Sequence, residues 1–368
     1  MASDVYFAPL RATNPGQGKA SQVRNLFEAA GFGDLIREGD LTAVKLHFGE
    51  RGCDTYVSPV FVRQVVDKVK EWGGRPFLTD TITLYGGSRR DAVGHLLTAI
   101  DHGFDYSVAG APLIIADGLR GENSVEVDIG KKHIKRAKIA GDVAAADSMI
   151  VVSHFKGHSM AGFGGAIKNL GMGCASPSGK ADQHCASKPT VVEDKCNGCG
   201  RCVRVCPKSA AVLEGGKASI DPQRCVGCGA CLGACPEEAI DLDWDEMPAF
   251  IERIAEYAFG AVLGKAGRIG FINFVINVTP ECDCLPWSDA SIVPDVGILA
   301  SKDPVAIDAA SLDLVNAQQG LVTSALPSRH GKGEDKFRGL WPKVDGSHQI
   351  SYGEAIGLGT SEYRLIEI

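Results

Sequence analysis

Cys196-Asn-Gly-Cys199-Gly-Arg-Cys202-Val-Arg-Val-Cys206-Pro207 and Cys225-Val-Gly-Cys228-Gly-Ala-Cys231-Leu-Gly-Ala-Cys235-Pro236 are two copies of one unit, C-x-x-C-x-x-C-x-x-x-C-P, offset by 29 residues. Three thiolates at i, i+3 and i+6, with glycines between them, let the backbone curl around three corners of an iron–sulfur cube. The fourth cysteine, held by the proline after it, points to the other cube. The spacing therefore assigns one [4Fe–4S] cluster to Cys196, Cys199, Cys202 and Cys235, and a second to Cys225, Cys228, Cys231 and Cys206. A zinc site needs two C-x-x-C pairs and would leave the remaining thiols unused.

Residues 189–243, including the Glu214-Gly215-Gly216-Lys217 turn, resemble a bacterial two-cluster ferredoxin. The resemblance implies one-electron transfer. It covers a small part of a chain of 368 residues, whose length suggests two lobes beside the cysteine-rich unit. Apolar content of 45% and a charged fraction of 23% are those of a folded globular protein, and a net charge of −7 argues against a nucleic-acid partner. Eight of thirteen cysteines are committed as cluster thiolates, which implies a reducing compartment. The first residues lack a basic region followed by an apolar core, and there is no run of eighteen apolar residues. A cytoplasmic protein with no membrane contact is expected.

Outside the repeat, strand and helix signals alternate. Strands are expected at 5–10, 42–48, 76–79, 112–116, 148–153, 269–278 and 296–300, with two more within 125–139. Helices are expected at 21–30, 59–72, 89–102, 248–263 and from Pro304 to about Gln319, the last capped by Asp303. The pattern is α/β with largely parallel sheet lobes and an inserted α+β two-cluster unit: 1–188 as the first part of the α/β domain, 189–243 as the insertion and 244–368 as the second part. Residues 320–350, rich in Gly, Ser, Pro and Lys, read as a surface excursion.

In such sheets chemistry gathers beyond the carboxyl ends of the strands. Lys45, His47, Asp80, Thr81, His154, Lys156, Asn273 and Asn277 fall there. The richest loop runs from Ser153 to Cys174 and contains Lys156, His158, Gly162, Gly164, Gly165 and Lys168. A strand, a glycine turn and an apolar helix present backbone N–H groups to an anion, so this loop is read as the seat of an anionic substrate or a phosphate-bearing organic cofactor. Lys45 and Lys168 would hold it, with His47, His158 and Lys156 as the catalytic candidates. The loop does not fit G-x-G-x-x-G, and glycines that merely allow close packing would look the same. Of the other cysteines, Cys53 reads as a small buried hydrophobe. Cys174, His184, Cys282 and Cys284, with Cys185 near them, are the candidates for a third metal centre of zinc or iron.

A broader resemblance rests on Lys45-Leu-His-Phe-Gly-Glu50, Ser153-His-Phe-Lys-Gly-His158, Ile167-Lys-Asn-Leu-Gly-Met-Gly-Cys174, Cys282-Asp-Cys284 and the block from Asp295 to Asp308. These resemble the prokaryotic uncharacterised iron–sulfur centre proteins, a domain of unknown function interrupted by a two-cluster ferredoxin. The resemblance implies the insertion architecture, matches Cys174, His184, Cys282 and Cys284, and has no cysteine at the position of Cys185. It names no substrate. Two functions are compatible with these readings. One is an oxidoreductase wired by its two clusters to an anionic small molecule or second cofactor. The alternative is a non-catalytic electron carrier or cluster-delivery protein that docks a redox partner protein.

Overall fold

The computed structural model describes residues 2–184 and 188–368, so Cys185 lies outside the described residues. Eight strands form one sheet: β1 (Ser3–Pro9), β2 (Leu41–Lys45), β3 (Arg75–Asp80), β4 (Leu113–Ile115), β5 (Ser148–His154), β6 (Ile269–Val275), β7 (Gly297–Ser301) and β8 (Tyr363–Glu367). Their lateral order is β8-β1-β7-β6-β5-β2-β3-β4. From β6 to β4 all neighbours are parallel. At the other side β7 runs antiparallel to both β1 and β6, and β8 pairs parallel with β1. The fold is mixed α/β with a mostly parallel sheet.

Alternation of side chains puts two cores on the two faces. Val44, Ile150, Val152 and Ile272 pack with Val23, Leu26 and Phe27 of α1 (Lys19–Ala29) and with Val62 and Val66 of α2 (Pro59–Glu71). Ala43, Met149, Val151 and Phe271 pack on the other face with α3 (Ala166–Gly171), α4 (Met247–Val262) and α5 (Pro304–Asn316). Every residue of β5 and β6 is buried, as expected of central strands covered on both faces.

Two expectations are corrected here. The separate lobes are one sheet, because β6 lies directly beside β5 although the cysteine-rich segment intervenes in sequence. Residues 320–350 are a surface excursion only in their first half: 322–335 are mostly exposed, whereas the stretch from Lys336 to Ile350 is anchored in the core. Phe337 packs against Phe155 and Phe163, with ring centroids 5.9 and 5.8 Å apart. Gln349 Nε2 donates to the carbonyls of Ala161 and Phe163 at 2.8 and 3.0 Å. The buried Lys336 ammonium donates to three backbone carbonyls. A Gly-, Ser- and Pro-rich composition reports backbone shape, not exposure.

The cysteine-rich segment closes on itself. Thr190–Val191 pairs with Ile240–Asp241, so its two ends meet, and a hairpin of Ala211–Glu214 with Lys217–Ile220 lies between them. Cys202, Ala211, Ala218 and Ile240 form its small core.

Candidate functional site

A cavity of about 150 Å³ opens beyond the carboxyl ends of β2, β3, β5 and β6, where consecutive parallel strands deliver His47, Asp80, His154 and, a few residues past β6, Cys282 and Cys284. The glycine-rich loop forms its wall: Lys156–His158 pairs antiparallel with Gly162–Gly164, and the chain then enters α3. Lys156, Lys168, Lys180 and Arg89 give this lining a positive character.

Two buried carboxylates organise the floor. Asp283 accepts from His154 Nδ1 at 2.9 Å and from Thr55 Oγ1 at 3.1 Å, with Lys156 Nζ 3.7 Å away. Burial alone would raise its pKa, but His154 and Lys156 hold it well below the usual carboxylate range. His154 Nε2 also faces two carbonyls, of Ile276 at 2.9 Å and Asn277 at 3.0 Å. His154 is thus tied to Asp283 on one side and to the backbone after β6 on the other. Asp80 is likewise opposed by burial and held low chiefly by Lys45, with Arg89 beside it. Lys45 Nζ lies 3.0 Å from Asp80, 2.8 Å from Asn169 Oδ1 and 3.0 Å from the Leu46 carbonyl, and is fully buried. Its donors are used up inside the fold, and it does not line the cavity. This corrects its expected role as a cofactor ligand.

His47 and His158 do line the cavity. Gly49 N–H donates to His47 Nδ1 at 2.9 Å, and Arg89 Nη1 lies 3.3 Å from its Nε2. Burial first, then the Arg89 charge, pushes the His47 pKa well below the ordinary value. His158 is shifted the same way by burial and then Lys168, with Nδ1 accepting from Met160 and Ala161 N–H at 3.2 Å. Both rings are neutral at physiological pH. Lys156 lies at the wall but is held by the His154 carbonyl at 2.8 Å.

The anion seat expected at the glycine turn is filled by the protein itself. The Asp308 carboxylate accepts from Ala166 N at 2.7 Å, Ile167 N at 2.9 Å and Asn273 Nδ2 at 2.8 Å. A Cβ on Gly165 would lie 2.3 Å from Asp308 Oδ1, and one on Gly162 would meet Gly346, so these glycines serve close packing. Gly164 faces Lys156 and Lys168 instead. Burial raises the Asp308 pKa to about 6. The folded protein therefore binds a proton there that the unfolded chain has lost, and this contribution to stability falls as pH rises from about 4 to about 6. Asp308→Asn should destabilise by about 2 kcal/mol, because its amide N–H₂ would face a backbone donor. That deficit should shrink by roughly 1 kcal/mol between pH 5 and pH 7.5 in urea denaturation. A deficit independent of pH would contradict the buried acid.

His158, Cys282 and Cys284 offer ligand atoms that all lie within 4.8 Å of one another. Lys168 Nζ lies 3.8 Å from Cys282 Sγ. Cys174 is not among them. It is fully buried, its thiol faces the Asn169 carbonyl at 4.0 Å, and burial pushes its pKa up to about 11. The expected group of Cys174, His184, Cys282 and Cys284 is corrected accordingly: Cys174 packs in the core and His158 takes its place. His184 lines the same cavity, with its ring 4.8 Å from that of Phe250 and its buried Nδ1 without a partner among the described residues. Cys53 is buried near Asp283 and Ser288 and stays outside the cavity lining.

In the cysteine-rich segment, Cys196, Cys199, Cys202 and Cys235 line one small cavity, and Cys206, Cys225, Cys228 and Cys231 line another. Each set draws one thiol from the opposite copy of the repeat. Backbone N–H groups of Ala218, Ala239, Ala210 and Gly227 donate to Cys196, Cys235, Cys206 and Cys225 sulfurs at 3.1–3.4 Å. Gly198, Gly200, Gly227 and Gly229 have positive φ between 69° and 73°, the curl that points successive sulfurs inward. Cys228 lines both its own cavity and the larger one.

Sequence reasoning missed Arg89, Tyr85 and Lys180. Arg89, expected as the first residue of a helix over 89–102, precedes it: the helix runs Ala92–Asp101 and Asp91 caps it. Arg89 instead lies buried between Glu50 at 3.2 Å and Asp80 at 3.6 Å, and is hydrogen-bonded to Tyr85. Lys180 carried no local signal. Burial lowers its pKa to about 8, and its ammonium donates to Thr81 and two backbone carbonyls.

A mixed α/β sheet with a polar strand-end cavity and converging thiol and imidazole groups defines a protein able to hold metal. The chain belongs to the family described as domain of unknown function (DUF362), whose profile matches residues 42–313. No curated protein matches it. Among solved structures it is similar to the lactate racemase apoprotein from Thermoanaerobacterium thermosaccharolyticum, at 13% identity and a TM-score of 0.36. That match covers 69% of this chain and 49% of the other, so the chain spans about half that protein's length, and the likeness carries no argument about function. Among the described residues, no helix is long and apolar enough to cross a membrane.

Proposed function

We propose that this protein is an iron–sulfur oxidoreductase in which an inserted two-cluster unit, residues 189–243, exchanges electrons with an anionic small molecule in the strand-end cavity. Cys196, Cys199, Cys202 and Cys235 would hold one [4Fe–4S] cluster, and Cys206, Cys225, Cys228 and Cys231 the other. Four thiols around each small cavity, with N–H groups donating to sulfur, fit that cargo. The clusters supply one-electron transfer. The observation that carries the reading is Cys228, which lines both its thiol-ringed cavity and the cationic one, so the electron route ends at the wall of the site. Lys168 then attracts a negative group, and His158, neutral and facing the cavity, exchanges a proton with the bound molecule.

The test is stopped-flow reoxidation of the dithionite-reduced protein by a series of small carboxylate and phosphate oxidants. A molecule that reoxidises the clusters, and does so at least about tenfold more slowly in Lys168→Met and His158→Ala, supports the reading. Reoxidation only by a partner redox protein, unchanged in both variants, would leave an electron carrier in its place.

A further inference from the structure

We propose that His158, Cys282 and Cys284 form a third, mononuclear metal site that takes a divalent transition metal, zinc or ferrous iron, and leaves a coordination position open to the strand-end cavity. The site deepens the proposed function, and none of its ligands belongs to the cysteine repeat; once the metal is bound His158 is a ligand, and the proton exchange passes to His47 in the same cavity wall.

Three observations carry it. The ligand atoms already lie within 4.8 Å of one another, against roughly 3.8 Å between thiolates on a tetrahedral zinc, so closure needs only side-chain adjustment. Two sulfurs and one imidazole nitrogen suit a borderline-soft divalent ion far better than magnesium or calcium. All three residues line the cavity, and His184 in the same wall has a buried ring nitrogen with no partner among the described residues, which a water or ligand atom on the metal can satisfy.

The site is supported from behind. The pair is carried on the turn after β6, and Asp283, between the two cysteines, is anchored in the opposite direction by His154, Thr55 and Lys156. With the middle residue pulled into the core, both flanking thiols are turned to the cavity side. Lys168 at 3.8 Å from Cys282 offsets the negative charge of a thiolate pair. The contacts from Met160 and Ala161 N–H to His158 Nδ1 are at the long end of the hydrogen-bond range. Turning the imidazole to present an unprotonated nitrogen exchanges two weak contacts for a coordinate bond. Three protein ligands and one open position are the arrangement of a catalytic metal, not a structural one. The ligand class is a small oxyanion: one oxygen on the metal, with the cationic wall of Lys156 and Lys168 beside it.

The experiment is anaerobic titration of chelator-treated protein, clusters in place, with Co(II), followed by metal analysis and by electron paramagnetic resonance. The wild type should bind about one Co(II) per chain as a high-spin, thiolate-coordinated ion, with acid-labile sulfide unchanged. Cys282→Ser/Cys284→Ser should abolish this signal, and His158→Ala should weaken binding about tenfold or more, both with sulfide retained. Cys174→Ser should bind Co(II) as the wild type does. If the double variant loses sulfide as well, the His158→Ala affinity decides. Absence of Co(II) binding by the wild type, binding unaffected by the cysteine and histidine changes, or a Cys282–Cys284 disulfide in place of two free thiols in the anaerobic protein would each overturn the site.

Discussion

Replacing Cys228 with Ala should halve the iron and acid-labile sulfide of anaerobically purified protein, from about eight of each to about four. It should also stop electron exchange with anything bound in the strand-end cavity. On the proposed assignment the two clusters are not equivalent. Only the set containing Cys228 borders the large cavity, whereas Cys199, in the other set, is exposed. Cys199→Ala should therefore lose the same amount of iron yet leave a cluster facing the site. The two variants, matched in metal loss, separate the cluster that serves the cavity from the one that serves an outside donor. Equal loss of small-molecule reoxidation in both would mean that electrons do not enter or leave through Cys228. A wild type with no labile sulfide would remove the clusters altogether.

The second large effect is on stability. Lys45→Met should cost about 3–5 kcal/mol, because it leaves the buried Asp80 carboxylate with only Arg89 at 3.6 Å and His95 at 3.7 Å. The pH dependence has a sign that follows from the depressed Asp80 pKa. A carboxylate held low when folded contributes stability above its unfolded pKa of about 4, and that contribution is lost as pH falls. The variant lacks the strongest of the charges that hold it low, so its deficit should be largest at neutral pH and should narrow only as pH falls below about 4 in urea denaturation. A variant of wild-type stability that lost only ligand binding would restore Lys45 to the role of cofactor ligand.

Much of this architecture is written locally. The alternation of apolar strands and amphipathic helices places β2, β3, β5 and β6 within a few residues of their observed bounds, because each carries its own periodicity and its own terminating glycine or cap. The strand-end rule then brings His47, His158 and Lys156 to the cavity without reference to distant contacts. The repeat, a pattern of spacing alone, sorts eight cysteines into the same two sets of four that line the two small cavities.

What the sequence could not decide depends on partners far apart in the chain. Asp308 lies more than 140 residues from the helix end it caps, so the glycine turn reads as an empty anion seat until the tertiary structure fills it. Lys45 and Lys168 look alike in sequence, yet one is consumed by Asp80 and the other is left beside Cys282. Residues 320–350 look like a loop because composition records turn-forming residues and not the aromatic surface of Phe155 and Phe163 that covers Phe337. Cys174 and His158 exchanged places as metal candidates for the same reason. Local spacing determines which residues can curl around a cluster, whereas burial, charge pairing and the direction of a side chain are settled only when strands distant in sequence become neighbours in one sheet.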